Sequence, residues 1–117
     1  MNEFQAPVEE PVLAATTARP ATDARPRLLP PFAVVMLNDD LHTFEYVVQA
    51  LCRICGHNRV QAFRMALQIH EQGRAIVWSG SKEVAELKRD QIKGFGVDHF
   101  ALHPVTFPMG VHIEPLP

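Results

Sequence analysis

The residues best suited to chemistry in this sequence lie directly after its most strand-like segment. Asn38, Asp39 and Asp40 follow the apolar run FAVVML (32–37), and an amphipathic run begins a few residues later. Carboxylates and an amide at such a junction can satisfy a turn and cap a helix, which is the simpler interpretation. The same groups can accept hydrogen bonds from a positively charged ligand.

A histidine further along the chain bears on that choice. His70 stands at the end of a helical apolar stripe, three residues after Leu67 and four after Ala66. A lone histidine there is most often a core residue. If the first two helices pack on the first strand, however, His70 approaches the turn. An amide, a carboxylate and an imidazole beside apolar side chains would bind an ammonium group, as in the recognition of protein N-termini.

Hydrolytic, metal and redox sites find less support in the spacing of the residues. A hydrolase needs a nucleophile, and no Ser or Cys stands in an elbow motif. A metal site of Asp39, Asp40 and His70 is conceivable, but adjacent carboxylates in a turn point differently. Cys52 and Cys55 form a C-x-x-C motif late in a helical pattern. Small apolar residues near a buried face are the simpler interpretation, and a redox or metal protein stays an alternative.

The composition narrows the class of protein. The chain has 117 residues, 47% of them hydrophobic, which suits one folded domain. Its net charge of −2 and lack of a basic patch argue against a nucleic-acid partner. No segment approaches the roughly 18 apolar residues of a membrane span, and the acidic N-terminus MNEFQAPVEE lacks a signal-peptide pattern. The expectation is a cytoplasmic protein without a cofactor, and nothing demands more than a monomer.

The chain divides into a predicted disordered extension, residues 1–30, and a folded domain, residues 31–117. The extension holds five of the ten prolines and no glycine, and it shows no sustained period. Such a segment buries too little apolar surface to offset the entropy of ordering.

The folded part predicts the order strand, helix, helix, strand, helix, strand. The strands are FAVVML, AIVW (75–78) and MGVHI (109–113), and residues 96–108 are irregular. Helices should begin at a cap at Asp40 or Thr43, at Asn58 and at Ser81. Three helices cannot cover both faces of so small a sheet, so an α+β two-layer domain is expected. The expected apolar stripes are Phe44, Val47, Val48, Leu51 and Cys55; Phe63, Ala66, Leu67 and His70; and Val84, Leu87, Gln91, Ile92 and Phe95.

Three blocks of the sequence resemble the ClpS family, the adaptors of the Clp protease. They are VVMLNDDLHTFEYVV, QAFRMALQIHEQGRAIV and SKEVAELKRDQI, in order and with family-like spacing, and FPMGVHIE is weakly similar. The resemblance implies a non-enzymatic adaptor for N-degron substrates, which carry a bulky hydrophobic N-terminal residue with a free α-amino group. It would deliver them to a ClpA-type AAA+ unfoldase for degradation by ClpP.

The resemblance also implies a fold and a set of site residues. The fold is a three-stranded antiparallel sheet covered on one face by three helices, with an extension that engages the unfoldase. Asn38, Asp39 and His70 match the residues that receive the substrate's α-amino group, and Glu83 and Lys88 match surface residues that contact the unfoldase. The rim and walls of the substrate side-chain pocket would be Asp40, His42, Phe44, Val47, Ala66, Ile69 and Met109.

Several positions depart from the family pattern. Phe44 and Ala66 stand where relatives carry methionines, so one change adds bulk to the pocket and the other removes it. The preferred N-terminal residue is therefore open. His42 adds a titratable group at the rim, although a solvent-exposed turn residue is the simpler interpretation. The segment 94–108 is longer than is usual in the family. The contacts that Met109 makes are therefore open.

These departures keep a second family-based hypothesis open. A divergent ClpS-like module would retain the fold and dock on the unfoldase without reading N-termini. Asn38, Asp39 and His70 argue against this hypothesis, whereas Phe44 and Ala66 argue for it.

Overall fold

The computed structural model describes residues 29–117. The elements are β1 (Phe32–Leu37), α1 (Phe44–Cys55), α2 (Arg59–Gln72), β2 (Arg74–Gly80), α3 (Lys82–Lys93) and β3 (Val111–Pro115). The predicted extension lies, up to residue 28, outside the described residues, and the proposed division of the chain stays a prediction.

The sheet places β1 in the middle, in the order β2-β1-β3, with both neighbours antiparallel to it. A central strand suits a run without charge or proline, and Ala33–Met36 are fully buried. Val34 and Met36 join residues of all three helices in one hydrophobic core. The predicted α+β fold, a three-stranded sheet with helices on one face, is confirmed.

The helices begin and end where short polar residues and glycines predict. The side chains of Thr43, Asn58 and Ser81 accept the N-cap hydrogen bonds of α1, α2 and α3. Gly56 and Gly73 end the first two helices with φ of 78° and 87°, a conformation that favours glycine. The longest of the three helices has 14 residues, and no helix in residues 29–117 has the length and apolarity to cross a membrane.

The predicted buried face of α2 is wrong. Phe63 is 51% exposed, and Leu67 and His70 are also exposed, while Ala62 and Ile69 lie in the core. Only Ala66 of the predicted stripe is buried. The physical reason is that small side chains let α2 approach the sheet closely, so the face with the largest apolar residues does not become the packing face.

The predicted buried face of α3 is right only in part, since Ile92 is fully buried and Phe95 packs partly buried against the core, but the other predicted residues are exposed. Leu87 is 52% exposed and Val84 is also exposed, while Ala85 and Ile92 are fully buried. These two residues are seven positions apart, two turns of one face, and they make a narrow contact with the sheet.

The last strand begins later than its apolar pattern predicts. MGVHI predicts a strand from Met109, but β3 begins at Val111. A Cβ at position 110 would lie 3.3 Å from the Leu37 side chain, so the chain passes close to β1 before it enters the sheet. Met109 therefore lies before β3 and is not paired in the sheet, and it is 2% exposed.

Candidate functional site

The turn after β1 is held by hydrogen bonds on both sides. The Leu37 N–H donates to the Gly110 carbonyl and the Asn38 N–H donates to the Gly73 carbonyl, each at 2.9 Å. Gly73 ends α2, and Gly110 leads into β3. The turn therefore lies between the last turn of α2 and the segment that precedes β3.

Asp39 organises this turn through both carboxylate oxygens. Oδ1 accepts the Leu41 N–H at 2.9 Å and the His42 N–H at 2.7 Å, and Oδ2 lies 2.6 Å from His42 Nδ1. Burial raises the pKa of Asp39, but the hydrogen bonds from His42 and Leu41 together lower it below its usual value. Asp39 is thus a carboxylate at neutral pH, and Oδ2 keeps a second lone pair for another donor.

His42 is not the solvent-exposed turn residue that its residue type suggests. Its side chain is 1% exposed. The ring lies against Tyr46 and Phe107, with centroid distances of 5.0 Å in both pairs. Nε2 lies 3.0 Å from the Phe107 carbonyl oxygen. The hydrogen bonds at both ends of the ring explain how a polar side chain is buried here.

Asp98 is a site residue that the sequence analysis missed. It is fully buried, and its Oδ2 accepts the N–H of Thr43, the N-cap residue of α1, at 2.7 Å. It also accepts from the Thr43 hydroxyl and from the Phe100 N–H. The Tyr46 hydroxyl donates to the Gly96 carbonyl at 2.6 Å. A carboxylate in an irregular segment gives no periodic signal, so its role becomes visible only in the fold.

A cavity of about 360 Å³ opens beside the turn. This volume lies within the range of small-molecule sites, about 300–1,000 Å³. The structure brings every predicted amine-binding and pocket residue to its wall. The lining residues are Asn38, Asp39, Asp40, His42, Thr43, Phe44, Val47, Ala66, Ile69, His70 and Met109.

The mouth of the cavity combines free polar groups with an aromatic edge. Within residues 29–117, no hydrogen bond engages the side chains of Asn38, Asp40 or His70, and all three residues are exposed. The Phe44 ring stands edge-on to the His70 ring at 5.4 Å and to the Phe63 ring at 5.8 Å. His70 therefore stands next to the aromatic rings, and its ring contacts Phe44.

The lining can bind a ligand that has a positive group next to an apolar group. The turn supplies carboxylate and amide oxygens, and the floor supplies Val47, Ile69 and Met109, which are buried. The hydroxyl of Thr43, which also lines the cavity, donates to Asp98 and accepts from the Tyr46 N–H. That hydroxyl therefore serves the helix cap.

Glu83 and Lys88, the predicted unfoldase contacts, lie on α3 away from the cavity. Glu83 is exposed in the first turn. Lys88 is partly buried, and its Nζ donates to the Ile54 carbonyl at 2.7 Å, near the end of α1. Lys88 therefore has a structural contact inside the domain, and the contact of either residue with an unfoldase stays a prediction.

The two cysteines are partly buried beside the core, as free thiols. Burial raises the pKa of Cys55 to about 11, against a smaller opposing effect of the Lys88 charge. The thiolate is the reactive form, so a raised pKa makes the Cys55 thiol less reactive at neutral pH. Residues 29–117 also hold no group of three or more His, Cys, Asp or Glu placed to hold a metal ion.

We therefore expect Cys55 to react slowly in the folded protein. In a Cys52→Ser variant, the reaction with Ellman's reagent at about pH 8 should be at least tenfold slower than in denaturant, because little thiolate forms. A Cys55→Ser variant, in which Cys52 is the remaining thiol, is the matched control and gives the reaction rate of Cys52 alone. Fast reaction of native Cys55, or metal that copurifies and is lost on its substitution, would restore the redox or metal hypothesis.

Comparison with known proteins gives one consistent family. Residues 28–106 match the family model described as "ATP-dependent Clp protease adaptor protein ClpS". The ClpS adapter protein of Roseobacter denitrificans is 37% identical over 94 residues, which are 80% of this chain and 81% of that protein. The Ruegeria sp. ClpS adapter protein is 39% identical over 94 residues, 80% of this chain and 78% of its own.

A solved structure agrees with the sequence relatives. The structure of Agrobacterium tumefaciens ClpS2 bound to L-phenylalaninamide matches with a TM-score of 0.62 at 25% sequence identity. The match covers 76% of this chain and the whole of that one.

Proposed function

Because this chain belongs to the ClpS family of Clp protease adaptors, we propose that it is a non-enzymatic reader of N-degrons. It binds proteins whose N-terminal residue has a bulky hydrophobic side chain and a free α-amino group. It then delivers them, in the cytoplasm, to a ClpA-type AAA+ unfoldase for degradation by ClpP.

The observation that carries this proposal is the composition of the cavity. Hydrogen-bond acceptors surround one part of it, and apolar side chains form the rest. L-phenylalaninamide, the ligand of the A. tumefaciens relative, has two features that complement this lining: an α-amino group, which donates hydrogen bonds, and an aromatic side chain. It also has an amide in place of a free carboxylate, as does the first residue of a protein.

The α-amino group fits the turn because the turn still offers free acceptors. We assign it to the Asn38 side-chain oxygen, to the free lone pair on Asp39 Oδ2 and to His70. The Asp40 carboxylate, exposed at the rim, adds negative charge. An α-amino group has a pKa of about 7.7–8.0, so it is mostly an ammonium at neutral pH.

The apolar wall supplies the selectivity for the side chain. Full burial of a Leu or Phe side chain contributes about 1.5–3 kcal/mol. Val47, Ala66, Ile69 and Met109 are each no more than 6% exposed and present such a surface. An acetylated N-terminus would leave a desolvated acceptor without a partner, which costs about 1–3 kcal/mol.

The test is fluorescence anisotropy of labelled peptides that differ only in residue one. Leu, Phe, Tyr, Trp, Ile and Arg should be compared, with N-acetyl-Phe as the control. We expect the bulky apolar N-termini to bind, and acetylation to weaken the Phe peptide more than tenfold. Equal binding of the acetylated and free peptides would contradict the assignment of the turn to the amine.

The alternative is the ClpS-like module that docks on the unfoldase without reading N-termini. The observation that favours it is the Phe44 ring at the mouth, which stands against His70. Protein shown to be folded that binds none of these peptides, yet binds a ClpA-type unfoldase, would support this alternative.

Delivery requires a surface apart from the cavity, and α3 is the proposed one. Glu83 presents its charge to solvent, whereas the Lys88 ammonium is held by the Ile54 carbonyl. Between the two, Glu83 is therefore the better placed to contact the unfoldase. Residues 1–30 are the proposed segment that engages the unfoldase during delivery.

A further inference from the structure

The buried ring of His42 joins two segments that are distant in sequence, the turn that lines the cavity and the segment that leads to Met109. Nδ1 lies 2.6 Å from Asp39 Oδ2 in the turn, and Nε2 lies 3.0 Å from the Phe107 carbonyl oxygen. The Tyr46 ring packs against it at a tilt and the Phe107 ring packs in an edge-to-face arrangement. A side chain that is 1% exposed and held at both ends has little freedom to move.

Both partners of this ring are hydrogen-bond acceptors. A carboxylate oxygen and a carbonyl oxygen have no proton to give, whereas a neutral imidazole carries only one N–H. Both contacts are therefore hydrogen bonds only when both ring nitrogens carry protons. The charged group that the ring contacts is the Asp39 carboxylate.

The second contact acts on the wall that carries Met109. Phe107 is two residues before Met109, which is buried and lines the cavity. On the other side of Met109, Gly110 is held by the Leu37 N–H. Met109 is thus fixed from both sides, on one of them through His42.

We propose that His42 is a positioning residue that couples the amine-binding carboxylate of Asp39 to the Met109 wall of the side-chain pocket. This inference rests on the proposed function for its effect on peptides. Binding of the substrate's amine and binding of its side chain are then coupled, because the His42 ring orients both Asp39 and the wall that carries Met109.

The first test needs no peptide. In nitrogen-15 spectra of the histidine rings, the signals lost in His42→Gln should show that both nitrogens of the His42 ring are hydrogen-bonded. The Leu37 and Val105 amides, which donate to Gly110 and Asp98, should exchange faster in His42→Gln. The matched control is His57→Gln, since the His57 ring is partly buried and, like that of His42, contacts a carbonyl, that of Val77. A His42 ring that is hydrogen-bonded at one nitrogen only, or unchanged exchange, would overturn the proposal.

The second test is a double-mutant cycle with the Phe peptide. His42→Gln should weaken binding about fivefold, the size of one positioned hydrogen bond. It should have a smaller effect in an Asp39→Asn background, because the contact with that carboxylate is already lost there and only the Phe107 contact remains to be removed. An equal loss in both backgrounds would indicate a general structural role and overturn the coupling. If the native protein binds no peptide, the proposed function fails, while the spectra still decide whether the ring joins the two segments.

Discussion

Asp39→Asn should weaken binding of a Phe-initiated peptide about a hundredfold in fluorescence anisotropy. Asparagine keeps one side-chain oxygen for the Leu41 and His42 N–H groups, so the turn is retained. It removes the negative charge that faces both the ammonium and the His42 ring. Loss of one partner from a desolvated charge pair costs about 2–5 kcal/mol, and a hundredfold is about 2.7 kcal/mol.

The same reasoning predicts a smaller loss for His70→Ala. Within residues 29–117 the His70 ring makes no internal hydrogen bond, and its packing contact is the edge of Phe44. Its removal should weaken the free-amino peptide by about tenfold, because one acceptor for the amine is lost. The exposed position of His70 predicts that the thermal unfolding midpoint stays close to that of the native protein.

A carboxylate outside the cavity provides a control that distinguishes loss of the amine contact from a general effect of removing one negative charge. Asp90 is exposed on α3 and pairs with Arg89 next to it. Asp90→Asn makes the same chemical change and should leave peptide affinity unchanged. Native affinity in both Asp39→Asn and His70→Ala would refute the assignment of the amine to this turn.

The second large effect concerns the shape of the side-chain pocket. Ala66→Met should weaken the Phe peptide by about thirtyfold, because Ala66 is 3% exposed and lines a cavity of about 360 Å³. A methionine there takes the space that a benzyl group would occupy, and overpacking of a filled site costs about 1–3 kcal/mol. The peptide with the smaller Leu side chain should lose less.

Phe44→Met tests the effect of Phe44 on selectivity separately from that of Ala66, the other departure from the family pattern at the pocket. The Phe44 ring contacts both Phe63 and His70, so a flexible side chain should open the mouth and change the ranking of Leu, Ile and Phe. The control is Phe63→Met, which alters the neighbouring ring outside the cavity lining. An unchanged ranking in Phe44→Met would assign the selectivity to Ala66.

The strand and turn were predictable because their signals are local. FAVVML is short, apolar and bounded by Pro31 and the Asn-Asp-Asp sequence, and β1 has the predicted bounds. Thr43, Asn58 and Ser81 cap helices through their own side chains, which requires no knowledge of the fold.

The packing faces of α2 and α3 were less predictable than that of α1, where Val47, Val48 and Leu51 are buried as predicted, because packing depends on the partner surface. Phe63 and Leu87 are large apolar residues of α2 and α3, yet both are exposed. The alanines at 62, 66 and 85 are buried because they permit close approach to the sheet. Asp98 and the ring contacts of His42 join segments far apart in the chain, so no local pattern contains them.

The central position of β1 has a consequence for the order of folding. The strand that presents the turn pairs on one side with β3, from the opposite end of the described chain. Contacts between such distant residues form slowly, because a long loop must close before the contact is made. During synthesis α1 and α2 emerge well before Met109 does. A nascent chain therefore contains the acceptors of the turn without the wall that completes the pocket, and we expect affinity for N-termini to arise only in the last step of folding.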